Sequence, residues 1–144
     1  MNYRDGEVYK VLETIITNAG VKIIYEHVHD DSIDGAIWAR SDIDSNRIMM
    51  PAEGDAFPNE ETAMLILGHE MGHILTGNNS PDEPITRRRN EAECDLVGVY
   101  LTNLAILTYE ESMRRKMDQL PRKLPKEELA AIMRNITTFP EQEA

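Results

Sequence analysis

Histidines at 69 and 73, with a glutamate directly after the first, stand together in the hexapeptide GHEMGH. On a helix each residue advances about 100°, so His69 and His73 lie about 40° apart on one face, a turn from each other. Two imidazoles placed this way can both reach one tetrahedral Zn²⁺ at about 2.0–2.1 Å. Glu70 lies about 60° round from His73, beside that face, where its carboxylate reaches a metal-bound water rather than the metal. Met64, Leu67, Met71, Ile74 and Leu75 line the opposite side and are expected to bury it in the core. Gly68 and Gly72 cost roughly 1 kcal/mol each in helix propensity, a cost that close approach of another element would explain.

Two histidines alone fit equally a buried helix whose imidazoles are merely hydrogen-bonded. A third ligand decides between the readings, because a catalytic zinc takes three protein ligands and keeps a fourth position open. Candidates lie downstream in RRRNEAECD (87–95). Glu91 and Asp95 are four apart and share a helix face, whereas Glu93 points about 200° away from Glu91, so only one glutamate can face the metal. Along Glu91's face follow Cys94, Asp95, Gly98, Thr102 and Ala105, small or polar residues that let a second helix lie close against the first. The helix pattern therefore points to Glu91 as ligand. Asp95 would accept the free ring N–H of one histidine, fixing its tautomer and raising its basicity. Leu96, Val97, Tyr100, Leu101 and Leu104 read as the core side of this helix.

The elements that must position these groups follow from pattern. Residues 4–19 carry Val8, Val11, Leu12, Ile15, Ile16 and Ala19 at helical spacing, with Gly20 as the stop. VKIIYEHV (21–28) is rich in β-branched residues and reads as a strand, and GAIWARSD (35–42) and NRIMM (46–50) as two more around a turn at 41–45. Asn59 caps a helix over about 60–76 with Glu60 and Glu61 in its first turn, and Gly77-Asn78-Asn79 ends it. A long helical stretch runs from about 85 to 106 and into YEESMRRKMDQL, Pro121 and Pro125 punctuate, PKEELAAIMRNI forms a last short helix, and TFPEQEA frays. The fold class expected is α+β: an N-terminal helix, a small antiparallel sheet of about three strands, the motif helix packed on the third-ligand helix, and C-terminal helices. One domain over 1–144 is expected, with the motifs in about 20–107 and a helical extension over about 108–137. NRIMM is a candidate sheet edge for an extended substrate.

Composition narrows the function class. The chain of 144 residues is 41% hydrophobic and 28% charged, ordinary for a globular protein. No apolar run approaches the roughly 18 residues that span a bilayer, and MNYRDGEVYK lacks a basic-then-apolar signal. A lone cysteine, Cys94, fits a reducing compartment, so the cytoplasm is the expected location. The net charge of −11 argues against a nucleic-acid backbone as the main ligand. Other features read as structure: His27 and His29 in EHVHD as strand-end surface, Cys94 as a small packing residue, Arg87–Arg89 as a solvated first turn, and the scattered methionines as core with no copper site.

With both segments in hand, the chain resembles the ImmA/IrrE-type metallopeptidases, small bacterial and phage proteins of the broader gluzincin kind. The matching stretches are GAIWARSDIDSNRIMMP, GHEMGHILTG and EAECDLVG, against a family pattern of a strand pair, then H-E-x-G-H, then E-x-E-A-[ND]-x-F-A. Glu91 falls on the first glutamate of the second motif and Asp95 on its Asn/Asp; NEAECD also resembles the third-ligand segment of thermolysin-like enzymes. Cys94 stands where alanine is usual, Val97 and Gly98 replace the Phe-Ala pair, and the chain carries no appended helix-turn-helix of the kind some relatives have. The resemblance covers about residues 20–107. It implies a zinc-dependent endopeptidase that cleaves a transcriptional repressor and so derepresses a mobile-element or stress programme. Zn²⁺ on His69, His73 and Glu91 would then activate water, with Glu70 as general base. The rival from another class is a regulatory module that keeps the metal fold but sequesters a partner; the intact Glu70 counts against it. A metal-free structural domain would require the two motifs to coincide by chance.

Overall fold

The computed structural model describes residues 2–27, 39–77, 83–120 and 126–137. A 3-10 turn, Tyr3–Asp5, leads into α1 (Glu7–Asn18), then β1 (Lys22–Glu26), β2 (Arg40–Asp42), β3 (Arg47–Pro51), α2 (Glu60–Thr76), α3 (Pro84–Asp118) and α4 (Lys126–Thr137). The architecture is α+β, as the patterning implies. Residues 1–111 and 112–144 form two compact units, and α3 runs from the first into the second. Among the described residues no helix is long and apolar enough to cross a membrane.

The first helix starts later than its pattern suggests, because the 3-10 turn takes up the first residues and Asn2 caps that turn through Arg4 N–H. Tyr9, Leu12 and Ile16 recur at helical spacing on its buried face, and Gly20 ends it at φ +89°. Glu60, in the first turn of α2, accepts the Tyr9 N–H at 2.8 Å and so satisfies a donor that α1's own N-cap, Gly6, leaves open. Tyr3 packs edge-on against both Tyr9 and Phe57, with ring centroids 5.2 and 4.9 Å apart. These rings join Leu12, Ile16, Ile48, Met50, Met64 and Leu67 in the main core.

The sheet is mixed, not antiparallel as expected. Its order is β1-β3-β2, with β1 parallel to β3 (Ile24 beside Met49) and β2 antiparallel to β3 (Ser41 beside Ile48). Parallel pairing needs a connection of about a dozen residues or more, and the stretch from Glu26 to Arg47 provides it. The sequence sign is in β3 itself: Ile48, Met49, Met50 and Pro51 are all buried, the unbroken apolar run of a central strand rather than an alternating one. Only residues 39–42 of the expected strand over 35–42 are described, and Asn46 turns the chain from β2 to β3 at φ 51°.

In α2 the Asn59 side chain accepts the Thr62 N–H at 2.8 Å, and Gly77 closes the helix in the left-handed region at φ +68°. Its bounds match the expected ones. Met64, Leu67 and Met71 are buried as expected and Ile74 is half-buried, but Leu75 is exposed. The α3 side that faces inward is the small-residue one: Asn90, Cys94, Gly98, Leu101, Thr102 and Ala105 are buried. Leu101 is core as expected and Val97 and Leu104 pack beside it, whereas Leu96 and Tyr100 are exposed, a correction to their core reading. Apolar residues occur all round this helix, and close contact with α2 selects the face with the smallest side chains. In the second unit α4 follows the expected last helix, with Glu127 and Glu128 in its first turn and Arg134 in its last, matching the helix dipole. Pro121, Pro125 and the tail lie outside the described residues.

The contact between α2 and α3 is made by backbone. A Cβ on Gly68 would sit 2.7 Å from Gly98 Cα, one on Gly72 would sit 2.7 Å from Cys94 Cα, and one on Gly98 would sit 2.7 Å from Leu65 O. No flexible side chain can give way there. Gly98→Ala is therefore expected to lower stability by about 1–3 kcal/mol through overpacking, seen as a lower urea midpoint with unchanged slope. An unchanged midpoint would mean that the helices are not in backbone contact.

Candidate metal centre

Four turns of α2 carry His69, Glu70 and His73 onto the rim of a cavity of about 460 Å³, also lined by Glu91 of α3 and by Ala39, Arg40 and Ser41 at β2. The rings of His69 and His73 stand 5.0 Å apart and nearly perpendicular. His73 and Glu70 are buried, and His69 is half-buried. The two imidazoles thus face one opening from one helix face, as their spacing requires.

Across the glycine contact, α3 delivers its carboxylates to these rings. Glu91 Oε2 lies 2.9 Å from His69 Nε2, and Glu91 Oε1 lies 3.3 Å from His73 Nε2. Asp95 Oδ1 lies 2.7 Å from His69 Nδ1. With Nδ1 donating its proton to Asp95, the Nε2 of His69 carries a lone pair. That lone pair then faces a carboxylate oxygen. Two acceptors at 2.9 Å need a proton or a cation between them. Ligands on a tetrahedral zinc with bonds of about 2.1 Å stand about 3.4 Å apart, close to the separations here. The donor set could therefore hold a metal ion.

Glu70 is also near enough to count as a donor: His69, Glu70 and His73 each offer one atom, all within 4.8 Å of one another. Glu91 sets its two oxygens against the two Nε2 atoms, while Oε2 of Glu70 accepts from Ser41. Ser41 Oγ lies 2.8 Å from both the Glu70 carboxylate and the Glu70 backbone carbonyl, its single proton shared between the two acceptors. Ser41 is the residue that sequence reading missed. It belongs to the three-residue strand β2 and reaches Glu70 only through the packing of that strand on α2, so no local pattern marks it.

Other sequence candidates fall away from the centre. Glu93 is exposed on the far side of α3. Cys94 is fully buried against Gly72, and burial, followed by the negative charge of Glu91, pushes its thiol up to about 11. Its contact with the Gly72 position makes Cys94 part of the packing between α2 and α3. His27 is exposed and pairs with Glu53 at 3.1 Å, and His29 lies outside the described residues. Arg87, Arg88 and Arg89 are exposed in the first turns of α3. NRIMM is not a sheet edge: β3 lies between β1 and β2, and among the described residues β2 is the outer strand beside the cavity.

Set against family models, curated proteins and solved structures, the chain matches none, and the reading of the centre rests on its own geometry.

Affinity for added Zn²⁺ tests these assignments. Glu91→Ala should weaken it strongly and Asp95→Ala by about 10–100-fold, as loss of an orienting partner does. Glu93→Ala should leave it unchanged. Competition against a chromophoric chelator reads all three, and a larger loss for Glu93→Ala than for Glu91→Ala would move the third ligand by two residues.

Proposed function

We propose that this chain is a zinc-dependent endopeptidase of narrow specificity, acting in the cytoplasm on a protein substrate. One observation carries the reading: two imidazoles and the Glu91 carboxylate converge on one point of an open cavity, with a separate, buried carboxylate held beside them. Zn²⁺ held by His69, His73 and Glu91 would supply a Lewis acid that polarises the scissile carbonyl and lowers the pKa of water toward about 7.

The chain's own groups do the rest. Glu70 takes the proton of the attacking water and hands it to the leaving amine, which needs its carboxylate aimed into the cavity and kept off the metal. Ser41 holds it there, tying Oε2 to the sheet. Asp95 holds His69 in the tautomer that presents Nε2. The outer strand β2, with Ala39, Arg40 and Ser41 at the cavity, offers its backbone to an extended peptide, as edge strands do. The motif resemblance to ImmA/IrrE-type peptidases suggests a transcriptional repressor as substrate, and with it control of a mobile-element or stress programme. The net charge of −11 fits a protein rather than a nucleic acid as the bound macromolecule.

Elemental analysis of protein purified without chelator should find about one zinc per chain, and none in the His69→Ala/His73→Ala double variant. Glu70→Gln should keep the zinc and the fold but lose cleavage of the cognate repressor by about 10²–10⁴-fold, the usual share of a general base. Absence of zinc even after its addition would sink the peptidase reading. Zinc binding with tight capture of the repressor and no cleavage would instead make the chain a sequestering module.

A further inference from the structure

The face of α3 turned away from α2 carries large apolar side chains in water. Leu96 is 69% exposed, Val99 48%, Tyr100 67% and Leu107 62%. At about 100° per residue these four fall within about 100° of arc, with exposed Asn103 among them, diametrically opposite the buried Cys94, Gly98 and Ala105. The stripe runs about 17 Å along the helix, at 1.5 Å per residue. It contributes nothing to the contact with α2. Large apolar side chains gathered on one helix face mark an interaction site more than singly scattered ones do.

Charge states what fits it. Between Asn90 and Met113 the chain has no Lys or Arg. Exposed Glu93 lies beside the N-terminal end of the stripe and exposed Glu110 in line with its C-terminal end. The surrounding unit, Met1–Glu111, holds 8 Lys or Arg against 21 Asp or Glu, a net charge of −13. A second copy of the same face would bring like charges together at both ends, which disfavours self-association.

We infer that this face of α3 docks an amphipathic helix of a basic partner protein, its apolar side on Leu96, Val99, Tyr100 and Leu107 and its Lys or Arg residues on Glu93 and Glu110. Tyr100 sits mid-stripe, where a rigid amphipathic ring serves best as an anchor. Docking there leaves the cavity of His69, His73 and Glu91 open, since that cavity lies toward the opposite, α2-facing side. The inference stands whether or not the chain cleaves what it binds.

Calorimetry of the full chain with two synthetic helical peptides of about four turns tests it. One peptide pairs a leucine face with lysines, the other the same face with glutamates. The Leu/Lys peptide should bind one per chain. Leu96→Ser/Tyr100→Ser/Leu107→Ser should weaken that by at least about tenfold with the unfolding midpoint unchanged, as removal of anchor side chains does. Glu93→Gln/Glu110→Gln should weaken it several-fold and flatten its salt dependence. The inference fails if the Leu/Lys peptide does not bind, if the triple serine variant binds it as well as wild type, or if the Leu/Glu peptide binds equally. It also fails if sedimentation finds a dimer that the triple variant converts to monomer, which would make a second copy the occupant.

Discussion

Backbone contact between α2 and α3 is the constraint on which the rest depends. Gly68 meets Gly98, and Gly72 meets Cys94, at separations that admit no added carbon. Imidazole and carboxylate side chains are short. A histidine on one helix and a glutamate on another meet directly where the two helices approach closely. The glycines provide that approach at a cost of roughly 1 kcal/mol each in propensity, and the buried Cys94 and Ala105 continue the same narrow surface along α3. From that one contact follow the 2.9 and 3.3 Å approaches of Glu91 to the two rings and the 2.7 Å approach of Asp95 to His69. Widening the seam by a methyl group would move all three at once.

A second restraint acts from the sheet. Glu70 is buried, and a buried carboxylate without partners is costly. Ser41 supplies the partner, and because its hydroxyl bonds the Glu70 main chain as well, it fixes the carboxylate relative to the helix that bears it. The chain thereby separates two kinds of acidic group by their neighbours alone. Glu91 faces two ring nitrogens. Glu70 faces a hydroxyl.

Legibility from sequence divided along physical lines. The bounds of α2 were readable because they are set locally: Asn59 bonds the Thr62 N–H three residues on, and Gly77 takes up a conformation that other residues resist. Helical spacing likewise placed His69, His73, Glu91 and Asp95 on facing surfaces, since 3.6-residue periodicity holds wherever the helix holds. Strand direction was not readable in the same way. Whether β1 runs with or against β3 is decided by how a 20-residue excursion closes, and alternation reports only which faces are buried. Ser41 left no trace because its partner is 29 residues away.

The misreading of Leu96 and Tyr100 has a different cause, and it bears on what α3 is for. Apolar character predicts burial only when one face alone is apolar, and on this helix both faces are. Two demands compete for its inner surface: a core that favours bulk and a backbone contact with α2 that needs small residues. Proximity prevails, so the small residues go inward and the large ones stay in water, where each exposed side chain forgoes about 1.5–3 kcal/mol of burial. A helix that only had to fold would gain by putting Leu96, Tyr100 and Leu107 inside or by replacing them with polar residues. Neither has happened along three turns, and those turns lie between acidic residues with no cation among them. The same geometry that brings Glu91 to the histidines therefore leaves an acidic, apolar ridge on the outside of the molecule. Among the described residues, the packing of the chain on itself does not account for that ridge.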